Sequence, residues 1–189
     1  KALGRSDAVF HIAGVNRPEK PEDYEPGNAG FTAALCAELL ALKRRPLVLF
    51  SSSTQAELDN PYGRSKRRAE DALREWSATS GAPVAVFRLN NVFGKWSRPH
   101  YNSMVATFCH QIARDLPIEV RDPDYELELV YIDDVVNAMV GCLTDRPHGF
   151  EFRAQRMEAP QVLGALPYTV EFSTFAPGEW RPDTLELPR

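Results

Sequence analysis

Apolar residues in this chain gather in two kinds of pattern. Short continuous runs at Ala8 to Ile12, Leu47 to Phe50 and Val84 to Leu89 predict strands buried on both faces, since a strand with one wet face would alternate instead. Stripes at helical spacing separate them. Phe31, Leu35, Leu39 and Leu42 predict a helix from about Asn28, its N-cap, to Lys43, closed by Pro46. Ala69, Leu73 and Trp76 predict an inward face on a helix from Tyr62 to about Thr79, ended by Gly81 and Pro83. Val105, Phe108 and Ile112 mark a helix from Ser103 to Asp115, and Val136, Met139, Val140 and Leu143 mark one from Asp133 to Leu143. Strands alternating with helices of this length predict an α/β fold: a doubly wound parallel sheet with the three apolar runs as neighbours. From Pro160 onward five prolines fall in thirty residues and no helix period survives. The reading is therefore a main domain over 1–159 and an irregular tail over 160–189, with one short strand at most.

Composition narrows the function. With 189 residues, 43% of them hydrophobic, the chain can bury one sizeable core. A net charge of -4 offers no field for phosphate backbones, which argues against nucleic-acid binding. The basic run Lys43 to Arg45 reads as a helix end facing its own dipole. Cys36, Cys109 and Cys142 are odd in number and far apart on predicted helices, the pattern of reduced, buried thiols in a cytosolic protein. His11, His100, His110 and His148 stand alone, so no metal site is expected. Nothing approaches the roughly 18 apolar residues of a membrane span, and no basic-then-apolar signal opens the chain. A cytoplasmic protein without a membrane partner is expected. The start at Lys1, without Met and running directly into a strand, reads as a truncation.

The densest chemistry follows the second apolar run. Leu47 to Phe50 leads into Ser51-Ser52-Ser53-Thr54, and Tyr62-Gly63-Arg64-Ser65-Lys66 comes shortly after. In an open α/β sheet functional groups collect at the carboxyl ends of the strands, where these hydroxyls fall. Tyr62 and Lys66 are one helical turn apart and share a face. An ammonium beside a phenol favours the phenolate and lowers its pKa, which predicts a tuned acid/base pair. A carbonyl reduced by hydride needs a proton on its oxygen; a serine hydroxyl can hold that oxygen while the tyrosine donates. A tyrosine packed on a lysine stem at the surface is the alternative, and the position of the pair after a serine-ended strand argues against it.

Those residues, with Leu129-Val130-Tyr131-Ile132-Asp133-Asp134-Val135, resemble the extended short-chain dehydrogenase/reductase family of nucleotide-sugar epimerases, dehydratases and reductases. The resemblance covers about Asp7 to Leu143. It implies a Rossmann-type domain, NADP as cofactor with NAD not excluded, a UDP-sugar substrate and a homodimer built on the helices Asn28 to Lys43 and Tyr62 to Thr79. Position by position it implies Ser53, Tyr62 and Lys66 as the catalytic set. The cofactor would meet Ala13, Gly14, Ser51, Tyr62, Lys66, Leu89 and Val92. The substrate would meet Arg17, Ser53, Thr54, Asn91, Lys95, Arg98 and Asn102. Asn28 matches a structural asparagine of the family. A closer similarity, carried by Ala13 to Pro18, the compact link Gln55 to Pro61, Val92 to Trp96 and Tyr101 to Cys109, is to bacterial capsule and O-antigen enzymes that reduce the 4-keto group of a UDP-2-acetamido-2,6-dideoxy-hexos-4-ulose.

Some readings stay open at this point. The family's Gly-rich pyrophosphate loop is expected upstream of Lys1, together with the residue that separates NAD from NADP. The related reductases carry a C-terminal cupin domain, which the tail after Pro160 does not supply. A 4-epimerase or dehydratase using the same triad, or a non-catalytic fragment that binds sugar nucleotide without the dinucleotide, are the alternatives. Arg17, Lys95, Arg98 and His100 are either a cationic wall for a diphosphate or solvated loop charges. Asp133 and Asp134 read as an N-cap and first-turn charge rather than paired catalytic carboxylates. Trp76, Phe87, Phe93 and Phe108 read as core, and Trp96 as either a loop residue or a substrate contact.

Overall fold

Successive residues of a strand face opposite sides, so a continuous apolar run must be covered twice. A computed structural model of the chain describes residues 2–143, apart from 121, 123 and 125, and the backbone of three further strands at 150–154, 170–176 and 179–185. β1 (Ala8–His11), β2 (Leu47–Ser53) and β3 (Val84–Leu89) lie side by side and parallel, with Val9 opposite Val48 and Val48 opposite Val84. The three apolar runs are thus neighbours, as their pattern predicts. A short β4 (Asn91–Phe93) pairs in parallel with β5 (Leu129–Tyr131) as a separate two-stranded sheet. The main sheet continues from β3 to β6 (Phe150–Ala154), then to β7 (Val170–Ala176) and β8 (Glu179–Leu185), the last two antiparallel.

The tail is therefore not the run of loops expected of it. Prolines exclude a helix but not an edge strand, where a missing N–H need not face a partner. Pro182 lies in β8, the outermost strand. The boundary expected between 159 and 160 lies outside the described residues.

Helices cover the sheet on both sides. From one face Val48, Phe50, Val84 and Val86 pack against Cys36 and Leu39 of α1 (Phe31–Ala41) and Ala69, Leu73 and Trp76 of α2 (Pro61–Ser80). α3 (Met104–Ile112) starts at Ser103, whose hydroxyl accepts the Ala106 N–H at 3.2 Å. From the opposite face Leu47, Leu49, Ala85 and Phe87 pack against Val130 and against Val135, Met139 and Cys142 on and just after α4 (Ile132–Gly141). Full burial of side chains such as Leu39, Phe50, Leu73 and Phe87 stabilises by roughly 1.5–3 kcal/mol each.

Two helices are rotated from the stripes read in the sequence. α1 buries Thr32, Cys36 and Leu39, leaving Phe31 and Leu42 exposed. α4 buries Val135 and Met139, leaving Val136, Val140 and Leu143 exposed. Both helices carry apolar residues on adjacent stripes, and a period alone does not choose between them. α3 likewise leaves Ile112 exposed. Trp76 and Phe87 are core residues as expected, while Phe93 and Phe108 are only half-buried. Cys36 and Cys142 are buried free thiols, but Cys109 is exposed.

α2 closes at Gly81 as its sequence predicts and starts one residue before the expected Tyr62. Asn60 caps it by accepting the Gly63 N–H at 2.7 Å, Pro61 occupies the first turn, and Gly81 closes it at φ 71°. The helix start is pressed against the turn before it. A Cβ on Gly63 would stand 2.1 Å from the Gln55 carbonyl oxygen and 2.7 Å from that of Leu58. Gly63→Ala is therefore expected to destabilise the fold by about 1–3 kcal/mol, the usual cost of overpacking. Urea unfolding measures it, and an unchanged midpoint would show that the first turn of α2 can shift freely.

Candidate active site

β2 runs out at Ser51-Ser52-Ser53, and the chain turns at Thr54–Glu57 before returning as α2. Ser53 caps that turn, its Oγ accepting the Gln55 N–H at 3.2 Å. The Lys66 side chain passes under the strand end, where the residue is only 5% exposed. Its Nζ donates to the Ser51 carbonyl at 2.7 Å and stands 4.5 Å from the centroid of the Phe50 ring. Burial lowers the Lys66 pKa to about 8, against the pull of the Glu70 carboxylate, which raises it.

Tyr62 behaves differently from the expectation of a phenol lowered by its lysine. Burial raises its pKa, a hydrogen bond with the Ser53 side chain opposes the rise, and Tyr24 adds to it. The Tyr24 and Tyr62 rings lie 5.5 Å apart. Desolvation penalises a phenolate more than the Ser53 hydroxyl favours it, and Tyr24 adds to the penalty, so Tyr62 holds its proton well above neutral pH.

Asn28 closes the loop in front of these groups. It is not an N-cap. It sits in a π-helical turn, Pro26–Gly30, ahead of α1, and its side chain is turned back on the chain. Its Oδ1 accepts the Val15 N–H and its Nδ2 donates to the Val15 carbonyl and the Ser65 hydroxyl, each at 2.9 Å. The structural role implied for it is a clamp on the loop between Val15 and Asn28. Beneath it His11 lies between the Phe31 and Phe50 rings, 5.5 and 4.9 Å away, and its Nε2 is 2.8 Å from the Thr32 hydroxyl. Thr32 donates to the Asn28 carbonyl at 2.9 Å, so its oxygen is left to accept the His11 N–H.

A cleft of about 610 Å³ opens over these residues. It brings together Gly14, Arg17, Ser51, Ser53, Tyr62, Lys66, Leu89, Asn91, Val92 and Asn102 from the expected set. Ala13, Thr54, Lys95 and Arg98 are not among its lining residues. Lys95 instead pairs with Asp133 at 2.5 Å, which raises its pKa through a hydrogen bond and charge. Asp133 and Asp134 lie in the first turn of α4, but neither is its N-cap, which is Tyr131. Trp96 is 97% exposed at φ 66° and does not line the cleft. His100 and His110 do not stand alone: their rings are 5.2 Å apart. His148 lies outside the described residues.

The cleft also uses residues that the sequence did not single out for it, among them Asn16, Tyr24, Gln55 and Asn90. Tyr24 follows no periodic pattern, and only its fixing by a hydrogen bond to the Asn16 carbonyl at 3.2 Å reveals it. Among the described residues no group of three or more His, Cys, Asp and Glu side chains gathers as a metal site requires, and no helix is long and apolar enough to cross a membrane.

Gly14 shows what the cleft can admit. A Cβ there would fall 2.7 Å from Asn28 Oδ1 and 3.7 Å from Lys66 Nζ. Bare backbone thus passes beside the Asn28 side chain and the buried ammonium at the edge of the cleft, an approach that a side chain would obstruct.

A parallel sheet covered on both faces, with a serine, a tyrosine and a lysine meeting at its carboxyl edge, defines a Rossmann-type α/β domain. The profile of the NAD dependent epimerase/dehydratase family matches residues 1–152, and the chain belongs to that family. It is 55% identical over 134 residues to the UDP-2-acetamido-2,6-beta-L-arabino-hexul-4-ose reductase of Pseudomonas aeruginosa, a match covering 71% of this chain and 36% of the relative. Among solved structures it resembles the capsular polysaccharide assembling protein CapF from Staphylococcus aureus, with 33% identity, a TM-score of 0.67 and coverage of 97% of this chain and 43% of that one. A UDP-glucuronic acid 4-epimerase from Bacillus cereus, solved in complex with NAD, shares the fold at 19% identity and a TM-score of 0.66, over 76% of this chain and 51% of that one. The chain thus spans under half the length of the reductase and of CapF.

His11 makes the site sensitive to acid. Burial first, and the Lys66 charge second, lower its pKa from 6.5 to about 4. Between those values the unfolded chain binds the proton and the folded one does not, so stability is full above pH 6.5 and falls as the pH drops through 4. Compared with His11→Gln by urea unfolding, the wild type is expected to lose on the order of 3 kcal/mol more across that window. Parallel curves would mean that His11 titrates alike in both states.

Proposed function

We propose that the protein reduces the 4-keto group of a UDP-linked 2-acetamido-2,6-dideoxy sugar, with NADPH as reductant, in the making of capsule or O-antigen sugars. The observation that carries this reading is the convergence of Ser53 and Tyr62 on a cleft that the buried Lys66 also lines. The similarity to the Pseudomonas aeruginosa reductase supports the substrate class. The family's reactions include epimerisation, and a 4-epimerase would use the same three side chains; product analysis separates the two.

Gly14, Ser51, Lys66, Leu89 and Val92 would hold the nicotinamide end of the cofactor along the strand edge. When bound, the cofactor supplies the hydride. Ser53 holds the keto oxygen by donating a hydrogen bond that strengthens as charge develops there. Tyr62, kept protonated by burial, delivers the proton to that oxygen. Lys66, held by the Ser51 carbonyl, would stabilise the resulting phenolate and help hold the ribose of the bound cofactor. Arg17, Asn91 and Asn102 line the remaining wall and would meet the sugar nucleotide. The reading places the enzyme in the cytoplasm.

NADPH oxidation with a UDP-4-keto-hexosamine tests it. Tyr62→Phe removes only the hydroxyl and is expected to lower turnover about a hundred- to ten-thousand-fold. Lys66→Met should lower turnover and weaken cofactor binding, and Ser53→Ala should lower turnover more than affinity. Parental turnover in Tyr62→Phe, with chemistry rate-limiting, would remove Tyr62 from the acid role. The same reading includes a homodimer packed through α1 and α2, supported by the exposed Phe31 and Leu40 on α1. Light scattering at micromolar concentration should return a dimer mass; a monomer would count against it.

A further inference from the structure

One turn beyond Lys66 on α2 stands Glu70, a carboxylate with 0% exposure that the proposed reaction does not use. Its Oε1 accepts the Ser52 hydroxyl at 2.5 Å and Arg88 Nε at 3.0 Å. Its Oε2 accepts Arg88 Nη2 at 2.7 Å and Arg74 Nη2 at 3.0 Å. Arg88 also reaches Glu57, in the turn after β2, at 3.2 Å.

Such a network is not explained by stability. A buried ion pair typically contributes no more than apolar residues of the same volume would, because desolvating both charges offsets their attraction. What it does provide is geometry. Ser52 and Arg88 lie opposite each other on β2 and β3, one residue before the pair Ser53 and Leu89. Glu70 therefore fastens α2 to two adjacent strand ends at the rung next to Ser53. The apolar contacts of Ala69 and Leu73 carry no directional constraint of their own. The two-pronged contact with Arg88 tolerates very little, since both N–H···O bonds must keep their direction.

We propose that Glu70 is a positioning residue, which through Ser52 and Arg88 locks α2 against the ends of β2 and β3 so that Tyr62 and Lys66 stand opposite Ser53. This rests on reading Ser53, Tyr62 and Lys66 as the reacting set. The lock is also electrostatic. Lys66 faces Tyr62 and Glu70 from its own helix, His11 from β1, and the uncharged Ser51 carbonyl and Phe50 ring from β2. Of these Glu70 is the anion, and its charge opposes the lowering of the Lys66 pKa by burial.

Glu70→Gln keeps the shape and removes the charge; Ser52→Ala keeps the charge and removes one tie. Both are compared with the parent by NADPH oxidation with the UDP-4-keto sugar, and by following the Lys66 side-chain ¹³Cε shift against pH. Glu70→Gln is expected to lower kcat about ten- to a hundredfold, the scale of a small misplacement of reacting groups, with KM changed less than about twofold. Its Lys66 midpoint should fall below that of the parent. Ser52→Ala is expected to lower kcat by less and to leave that midpoint in place. A folded Glu70→Gln with parental kcat and parental Lys66 midpoint overturns the proposal; if that variant does not fold, parental kcat in Ser52→Ala overturns it. A parent without turnover overturns the proposed reaction instead, and the Lys66 midpoint in Glu70→Gln then decides for or against the lock by itself.

Discussion

Lys66 cannot be buried without an acceptor for its ammonium, and the acceptor it has is the Ser51 carbonyl at the end of β2. That single contact ties a helix side chain to a strand terminus, so the sheet determines where the ammonium sits and α2 must follow. Tyr62 comes one turn earlier on the same helix and falls beside Ser53. Gly14 passes the ammonium on the β1 side, where any larger residue would strike the Asn28 side chain. The cleft is built outward from this point. Its floor is charge buried under a strand end, and its walls are the loops that leave β1, β2 and β3.

The sheet was legible because its pattern admits one reading: Leu47 to Phe50 and Val84 to Leu89 are apolar at every position or nearly so, and such runs need cover on both faces. The proposed acid/base pair was legible from spacing, since Tyr62 and Lys66 stand four positions apart and a helix brings them to one face. The seating of α1 and α4 was not. α1 has so few polar residues that Thr32 and Cys36 could turn inward while Phe31 turned out, and which stripe meets the sheet depends on where the π-helical turn at Pro26–Gly30 delivers the chain. Asn28 shows the same limit at one residue. Its side chain satisfies Val15 and Ser65 from a distance in sequence that no capping rule anticipates. In the tail, proline content spoke against helices but not against edge strands, which is where β8 carries Pro182.

Polar partners set the remaining differences. Lys95 and Arg98 both read as candidates for a cationic wall, yet Lys95 is engaged by Asp133 across 38 residues of sequence, and an exposed ion pair of that kind is a surface feature of modest energy. The groups that do line the cleft are mostly amides and hydroxyls: Asn16, Asn91, Asn102, Gln55 and the serines, with Arg17 and Lys66 as cations. Side chains of that kind recognise a hydroxyl-rich ligand by geometry more than by charge.

Burial acts on the three titratable groups of the site in one sense, away from charge. It raises the pKa of Tyr62, lowers that of Lys66 to about 8 and lowers that of His11 to about 4. At neutral pH the phenol is therefore protonated, the ammonium is still charged and the imidazole is neutral, which leaves one positive charge on the floor of the cleft. That is the protonation pattern a general acid needs before it acts. In the proposed reaction the phenolate that burial disfavours would form one helical turn from a buried ammonium, in a medium where their attraction is stronger than in water. The Glu70 carboxylate raises the Lys66 pKa and so helps keep that ammonium charged. Desolvation and the lysine would thus act on the same phenolate in opposite senses, the first holding the proton on the resting phenol and the second easing its departure in the proposed reaction.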